Sequence, residues 1–183
     1  MKVKTRIENI FCLIDFKQEL EIDDRMAEEA GLEAAKNLSS YIYTHPELQT
    51  KMMIFSSGKV FLNGAKNQDE IASSFWALIR KLREIGIRII LGPHTKIEIE
   101  NLLATADLHD YLPDLEVDLE KISMKQNATY EPEKFPAVFL NFFSSQVKGS
   151  AMVFKSGRIL IGDVKSQEDA DLVLERVIET VRY

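Results

Sequence analysis

The chain has 183 residues, 45% of them apolar and 28% charged, with a formal net charge of −6. This composition excludes a disordered chain, and the acidic balance argues against a nonspecific polyanion binder, because such proteins usually carry a basic excess. Cys12 is the only cysteine, which excludes an intrachain disulfide. Neither a signal-peptide pattern nor an apolar run of membrane-spanning length is present, so we expect a soluble intracellular protein.

In chain order, the first half predicts a strand, a helix, three strands and a second helix. The alternating segment 6–16 predicts a strand, and the Ala-rich segment 20–38 predicts a helix. Further strands are predicted over 40–45, 50–57 and 59–64, with a tight turn at Ser57-Gly58. Asn67 and Glu70 form a capping-box-like start for the second helix, whose apolar stripe is Ile71, Phe75, Leu78, Leu82 and Ile85.

The second half of the chain repeats the first. "MIFSSGK" (residues 53–59) returns as "MVFKSGR" (152–158), "IENIF" (7–11) as "IENLL" (99–103), and "LEID" (20–23) as "LEVD" (115–118). A helix start at Ser166 and Asp169 matches the one at Asn67, and its stripe is Ala170, Leu174, Val177 and Val181. Because the matches keep their order, we predict two repeats, residues 1–92 and 93–183, joined near residues 91–96, in an α+β fold with antiparallel strands.

Both faces of the predicted strands are apolar. Alternation places Ile10, Cys12 and Ile14 on one face of the first strand and Asn9, Phe11 and Leu13 on the other. The hairpins divide in the same way: Met52, Ile54, Val60 and Leu62 against Met53, Phe55, Phe61 and Asn63, and Val153, Ile159 and Ile161 against Met152, Phe154 and Leu160. Since the predicted helices can cover only one face, something else must cover the other.

The sequence leaves three explanations for that second apolar face. A sandwich or an obligate dimer would make the face internal. A ligand-binding surface is the functional interpretation. Bulky apolar wedges, paired Asn residues and basic residues at the turns fit the DNA minor groove, where apolar side chains unstack base steps and Asn bonds acceptor atoms.

These residues resemble the TATA-box-binding protein family over nearly the whole chain. The resemblance is carried by "IFSSGKVFLNGAK" (54–66), "IENLLATADL" (99–108) and "YEPEKFP" (130–136). It implies a saddle-shaped curved antiparallel sheet made of two pseudo-symmetric repeats, with helices on the convex face. This family is itself a standard example of proteins that enter and kink the minor groove.

The resemblance also implies a role for individual residues. The wedges that enter base steps would be Phe55, Phe135 and Phe154, with Leu38 at the fourth position. The other minor-groove contacts would be Asn9, Asn101, Phe11, Leu103, Phe61, Asn63 and Leu160. Phosphates would be contacted by Lys59, Lys66, Lys148, Arg158 and Lys165. The acidic residues offered to transcription factor B would be Glu131 and Glu133.

Each of these roles has a plainer alternative. Phe55 and Phe154 could be core aromatic residues, and Asn9 and Asn101 could be turn or edge residues. The basic and acidic side chains could be ordinary solvated charges. A basic group on the long helix, made of Arg80, Lys81 and Arg83, is typical of a solvated face, with a protein or DNA-flank contact as the other interpretation.

The sequence departs from the family pattern at several positions. Leu38 replaces a wedge Phe, and Thr44 and Asn141 stand where the family usually carries arginines. Bulky Phe11 and Phe61 replace smaller contacts, while "NGAK" (63–66) and "GDVK" (162–165) replace "TGAK", which brings Asp163 close to the expected path of the phosphates. These departures suggest weaker or altered A·T recognition.

The resemblance implies a general transcription initiation factor that binds and bends A·T-rich promoter DNA and recruits transcription factor B and, through it, RNA polymerase. It would be a monomer on DNA, with a dimer possible when free, and would lie with the nucleoid in an archaeal cell or in the nucleus of a eukaryote. The alternative is a divergent paralogue that serves as a protein-interaction module with weak or no DNA binding.

An enzyme is the least supported class. His45, His94 and His109 lack metal-ligand spacing, and the chain has neither a phosphate-binding glycine loop nor a nucleophile elbow. Asp107 and Asp110 flank His109 in "DLHD", which we interpret as an exposed loop. We therefore expect a non-enzyme without a cofactor or metal.

Overall fold

The computed structural model describes residues 2–36 and 38–182. They form two compact units. The first unit is Asn9–Glu100, and the second unit combines residues 2–8 with residues 101–182. The predicted repeat boundary between residues 92 and 93 concerns sequence similarity rather than compactness, and it stays a prediction.

The elements follow one another in the same order in the two halves of the chain. The strands are β1 (Arg6–Asp15), β2 (Glu33–Ala34), β3 (Ser40–Thr44), β4 (Lys51–Phe55), β5 (Lys59–Ala65), β6 (Lys96–Asp107), β7 (Ala128–Thr129), β8 (Ala137–Phe143), β9 (Lys148–Phe154) and β10 (Arg158–Val164). The helices are α1 (Asp24–Ala30), α2 (Gln68–Glu84), α3 (Leu119–Ser123) and α4 (Gln167–Val181), and a 3-10 turn covers Leu108–Asp110.

The strands of each unit pair in the same pattern. The order is β2-β3-β4-β5-β1 in the first unit and β7-β8-β9-β10-β6 in the second. Among the described residues, the strand pairs within each unit are antiparallel. Both units carry a register shift near the end of the strand that precedes the long helix. In β5 it lies beside Ala65, and in β10 it lies between Ile161 and Val164.

The strands that the first half predicts are confirmed to within two residues, but the helix predicted over 20–38 is wrong. Helix α1 begins at Asp24 and ends at Ala30, because Gly31 adopts a left-handed conformation with φ 68. The N–H of Gly31 donates to Glu28 O and that of Leu32 to Ala27 O, which is the Schellman arrangement that closes a helix. The chain then turns into β2, so Leu38 is not helical.

The helix caps predicted for α2 and α4 are confirmed. The Asn67 side chain accepts from Glu70 N at 2.9 Å, and the Ser166 side chain accepts from Asp169 N at 3.1 Å. The apolar stripes are buried as expected, except that Ile85 lies just beyond the end of α2 and is only partly buried. These caps satisfy the free N–H groups where each helix begins on its sheet.

The core of each unit lies between its helices and one face of its sheet. In the first unit this face is made of residues such as Cys12, Ile14, Met52 and Leu62, which are fully buried. In the second unit Val153, Ile159 and Ile161 are buried in the same way beneath α4. The predicted α+β class, with antiparallel strands and helices on one side of each sheet, is confirmed. Among the described residues, no helix is both long and apolar enough to cross a membrane.

Candidate functional site

Each unit has a second sheet face that is apolar but not buried, which we call its open face. In the first unit the open face carries Phe11, Leu13, Met53, Phe55 and Phe61, all partly exposed. Their strand neighbours on the opposite face, by contrast, are fully buried. The strand alternation predicted from sequence is therefore confirmed, and the helices pack against the other side.

The open face of the second unit is built from the equivalent strand positions. It carries Leu103 on β6, Leu160 on β10, Met152 and Phe154 on β9, and Phe139 on β8, each partly or largely exposed. Leu160 lies opposite Met152 and Met152 lies opposite Phe139, so the side chains form one continuous apolar row across the sheet. Isolated exposed apolar residues are ordinary, but a contiguous patch on a sheet indicates an interaction surface.

A turn before β8 presents the predicted wedge Phe135. The carbonyl of Glu131 accepts from both Lys134 N and Phe135 N, at 2.9 and 3.0 Å, so the backbone of "YEPEKFP" is closed into one turn. The Phe135 ring remains 40% exposed and packs edge-on against Phe154, with ring centroids 5.9 Å apart. The structure thus brings the two predicted wedges of the second repeat together.

The corresponding position in the first unit is different. Leu38 is 54% exposed and lies in a loop whose backbone is held by Leu38 N to Ala35 O and Ser40 N to Leu38 O bonds. The predicted wedge Phe55 instead packs edge-on against Phe61, and Phe61 stacks on Phe11, each with centroids 5.5 Å apart. Leu38 and Phe55 line the same cavity, but Leu38 has no ring, so this pair lacks the aromatic contact that joins Phe135 to Phe154.

Glycine turns explain the repeated "SG" phrase. Gly58 and Gly157 have φ values of 84 and 85, and their N–H groups donate to Phe55 O and Phe154 O, each at 3.0 Å. A Cβ on Gly58 would lie 1.9 Å from Gln18 O, so no other residue fits this turn. Both turns place a predicted wedge Phe three residues before the glycine and a basic residue directly after it.

The basic residues after these turns stand opposite carboxylates. In the strand register, Lys59 on β5 lies opposite Asp15 on β1, and Arg158 on β10 lies opposite Asp107 on β6. Hydrogen bonds from Lys17 lower the pKa of Asp15, and the charge of Lys59 lowers it further. Hydrogen bonds from the backbone and ring of His109 lower the pKa of Asp107, and Arg158 contributes by its charge. The side chains of Lys59 and Arg158 stay exposed.

The remaining predicted phosphate contacts are also at the surface. Lys66 and Lys165 directly precede the capping residues of α2 and α4, and Lys148 begins β9. All three are exposed. Their proposed role in phosphate binding stays a prediction.

The open faces carry three asparagine side chains, Asn9, Asn63 and Asn101, that are partly or largely exposed. In the first unit Asn9 Oδ1 accepts from Gly64 N at 2.8 Å, and Asn9 Nδ2 donates to Asn63 Oδ1 at 2.7 Å. In the second unit Asn101 Oδ1 accepts from Leu102 N at 2.8 Å. Each amide has two N–H donors, and the bond from Asn9 to Asn63 uses only one of those on Asn9, so these exposed amides can donate to a ligand.

The acidic pair predicted to bind a partner protein lies in the same turn as Phe135. Glu131 and Glu133 are exposed, and the Glu131 carboxylate forms an ion pair with Lys134. A third acidic side chain, Asp163, is exposed on β10 and accepts from Ser150 Oγ at 2.6 Å. Thr44, which the sequence analysis singled out, is the last residue of β3, and Asn141 lies within β8.

Sequence reasoning missed two apolar side chains of the second unit, Phe139 and Phe143. Phe139 packs against Phe135 with centroids 5.6 Å apart, and Met152 lies opposite Phe139 in the register of β8 and β9. Phe143 lies opposite Lys148 and is 81% exposed. The alternation in "AVFLNFF" (137–143) was the signal that could have placed Phe139 and Phe143 on one face with Asn141.

The histidines do not form a metal site. His45 is buried and its Nδ1 accepts from Glu47 N and Leu48 N, while His94 Nε2 contacts Ile90 O and His109 Nδ1 contacts Asp107 Oδ1. Within residues 2–36 and 38–182, no group of three or more His, Cys, Asp or Glu side chains is placed to hold a metal ion.

Comparison with known proteins agrees with this architecture. A family model described as "Transcription factor TFIID (or TATA-binding protein, TBP)" matches residues 4–85 and 96–183. A TATA-box-binding protein of Methanocaldococcus jannaschii is 35% identical over 132 residues, which cover 72% of this chain and 67% of that protein. TATA-box-binding protein 1 of Methanosarcina acetivorans is 30% identical over 181 residues, covering 97% and 92%.

The structural comparison gives the same result. The solved structure described as Methanococcus jannaschii TBP matches with a TM-score of 0.81 and 27% identity, over 98% of this chain and 99% of that one. Together with the open faces and the repeated glycine turns, these matches show that the chain belongs to the TATA-box-binding protein family of transcription factors.

Proposed function

We propose that this protein initiates transcription by binding A·T-rich promoter DNA in the minor groove with the open face of each unit. The observation that carries the proposal is the open face itself, an apolar sheet surface with exposed aromatic rings and exposed asparagine amide groups. The floor of the minor groove offers only acceptors at A·T pairs, namely adenine N3 and thymine O2. Donors from Asn9, Asn63 and Asn101 match that pattern.

The apolar side chains supply the energy for deforming the DNA. Base–aromatic stacking is worth roughly 1–3 kcal/mol per base. Bending a site of 20–30 base pairs costs on the order of 1–6 kcal/mol. Phe135 and Phe154 together therefore provide an energy of the same order as the bend they would impose, and losing either ring would shift the balance.

The acidic net charge is compatible with this function because the basic residues are local. Five exposed basic side chains, Lys59, Lys66, Lys148, Arg158 and Lys165, lie at turns or strand ends next to the open faces. Each phosphate contact increases by roughly 0.9 the magnitude of the slope with which log affinity falls as log salt concentration rises. We expect a modest slope, well below that of a protein that binds DNA mainly by charge.

Affinity and bending on matched duplexes test the proposal. An end-labelled A·T-rich duplex is compared with a G·C-rich duplex of the same length by fluorescence anisotropy and by energy transfer between the ends. We expect tighter binding and a shorter end-to-end distance on the A·T-rich duplex. Equal affinity for both with no change in distance would instead support the protein-interaction module.

Recruitment of transcription factor B is the second part of the proposal. The exposed Glu131 and Glu133 stand on a turn closed by backbone hydrogen bonds, so a basic partner can reach both. RNA polymerase would follow indirectly. This assembly would take place on promoter DNA, in the nucleoid of an archaeal cell.

A double substitution separates this contact from DNA binding. Glu131→Ala with Glu133→Ala is expected to leave duplex affinity unchanged and to weaken recruitment of transcription factor B to the protein–DNA complex. The matched control is Glu28→Ala with Glu29→Ala, which removes two exposed charges from α1 of the first unit. If both doubles recruit the factor as well as the unsubstituted protein does, the acidic turn is not its contact.

A further inference from the structure

Asp163 occupies a backbone position that ordinarily calls for glycine. Its φ is 57, in the left-handed region, and it lies within the register shift between Ile161 and Val164 on β10. The residue at the same place in the repeated phrase of the first unit is Gly64, with φ 102. Aspartate and asparagine tolerate this conformation better than other side chains, so the backbone accepts Asp163 without requiring it.

The Asp163 carboxylate is held on the open face of the second unit. Ser150 Oγ donates to Asp163 Oδ2 at 2.6 Å. Ser150 lies opposite Gly162 and shares the face of Met152 and Phe154, by the alternation of β9. The carboxylate is exposed, and one hydroxyl fills only one of its roughly four acceptor positions. A ligand on this face would therefore meet an unsaturated acceptor.

The two units differ in what they offer to such a ligand. In the first unit the amide oxygens of Asn9 and Asn63 each accept one hydrogen bond from within the unit, and Gly64 contributes no side chain, so no carboxylate stands at that place. In the second unit Asn101 is exposed and carries amide N–H donors, while its oxygen accepts from Leu102 N. Asp163 adds an acceptor to that face, at a position where the first unit has none.

In the minor groove, a hydrogen-bond acceptor on the protein can bond only one kind of base group. Purine N3 and pyrimidine O2 are acceptors at every base pair, and the 2-amino group of guanine is the only donor. We propose that Asp163, positioned by Ser150, accepts a hydrogen bond from a guanine 2-amino group. This inference rests on the proposed minor-groove function and adds to it. The half of the DNA site under the second unit accepts or prefers a G·C pair at one step, whereas the other half requires A·T pairs.

The test uses base analogues that change only the minor-groove amino group. A single 2,6-diaminopurine·T pair, which adds the amino group to an A·T pair, is placed at each step of an A·T-rich duplex in turn. An inosine·C pair, which lacks the amino group of G·C, serves as the converse probe. With unsubstituted protein we expect one step, in one half of the site, where the amino group maintains or raises affinity.

Two substitutions identify the residue responsible. Asp163→Gly restores the residue of the first repeat, and Asp163→Asn keeps the shape and the left-handed backbone. Asp163→Gly removes a hydrogen bond to a charged group, so we expect its affinity at the amino-bearing step to fall by about tenfold. The fall in Asp163→Asn should be smaller. Ser150→Ala, a positioning substitution, should reduce the preference without abolishing it.

Controls separate this effect from a change in charge or in folding. Glu175→Gln removes one negative charge from the exposed side of α4 and should leave the step preference intact. Thermal unfolding checks that each variant is folded. If Asp163→Gly binds all duplexes more tightly to the same extent, and no step responds to the amino group, Asp163 merely repels phosphates. That result would overturn the inference and leave the proposed function standing. Failure of the unsubstituted protein to bind any duplex would overturn both.

Discussion

The two units share one design but place their aromatic rings differently. In the first unit the rings of Phe11, Phe61 and Phe55 run across β1, β5 and β4 in contact with each other. In the second unit the contacting rings lie toward the other edge of the sheet, where Phe135 meets both Phe139 and Phe154. The first unit thus has a broad aromatic surface near β1, while the second has a compact aromatic wedge near β8.

This difference shows that a duplicated fold can keep its apolar area while moving it. Leu38 replaces the outer ring in the first unit, and Phe11 and Phe61 stand where the second unit has Leu103 and Leu160. A ring at an exposed turn, such as Phe135, can enter a base step. Rings that pack against one another along the strands, as in the first unit, form a continuous surface on which the DNA can lie. We therefore expect the second unit to contribute more to kinking the DNA.

The largest expected effect comes from removing the outer ring. Phe135→Ala should weaken binding to an A·T-rich duplex by about tenfold to a hundredfold, since base–aromatic stacking is worth roughly 1–3 kcal/mol. The matched substitution Leu38→Ala should cost about threefold, because an aliphatic side chain loses burial but no stacking. Anisotropy titrations give the affinities. Equal losses at the two positions would contradict the difference between the units.

A gain should follow when the first unit receives the missing ring. Leu38→Phe is expected to tighten binding by about threefold to tenfold and to increase the bend, because a second outer ring adds part of a stacking contribution. Leu38 is 54% exposed, so the larger side chain can be accommodated in solvent before DNA binds. Energy transfer between the duplex ends measures the bend. An unchanged bend would mean that the loop at residue 38 does not reach a base step.

The basic residues after the glycine turns should behave alike in the two units. Lys59→Ala and Arg158→Ala should each weaken binding by about threefold to tenfold and reduce the salt slope by about 1, as expected for one phosphate contact. The loss should be the same for different A·T-rich sequences. Titration at several salt concentrations checks this, with Arg176→Ala on the exposed side of α4 as a control. A slope that does not change would exclude a phosphate contact.

The smallest effect concerns the core beneath the open face. Burial, with a contribution from the charge of Glu100, raises the pKa of Cys12 from 9.0 to about 11. The folded protein therefore keeps the thiol proton over a range where the unfolded chain loses it, so the free energy of unfolding falls as pH rises from about 9 to about 11. Cys12→Ala, which introduces the residue found at Ala104 in the matching strand, should remove this part of the pH dependence. Denaturant unfolding at several pH values measures it, and an identical pH profile in the variant would contradict the assignment.

Much of the fold follows from the sequence because the signals are local. Strand alternation, the Asn67 and Ser166 caps and the glycine of each turn all act within a few residues, and each appears in the structure as predicted. The overlong helix at 20–38 was an error of a different kind. Its Ala-rich composition favours a helix, but Gly31 ends it and the pairing of β2 with β3 directs the next residues.

The candidate site was only partly predictable. The apolar character of the open faces follows from alternation alone. Which rings touch does not, since the contact of Phe135 with Phe139 depends on a turn and a strand register that bring separate segments together. The same holds for the Asp163–Ser150 hydrogen bond, which joins two strands through a left-handed residue. Long-range register is the information that one sequence does not supply.

Replacing every A·T pair of the bound duplex by inosine·C tests most directly whether the open faces read the minor groove. Inosine·C keeps the minor-groove pattern of A·T but carries the major-groove pattern of G·C, so only the groove that is read determines the outcome. We predict an affinity within a few-fold of that for the A·T-rich duplex and a similar bend. An affinity that falls to the level of the G·C-rich duplex would contradict minor-groove binding by the open faces.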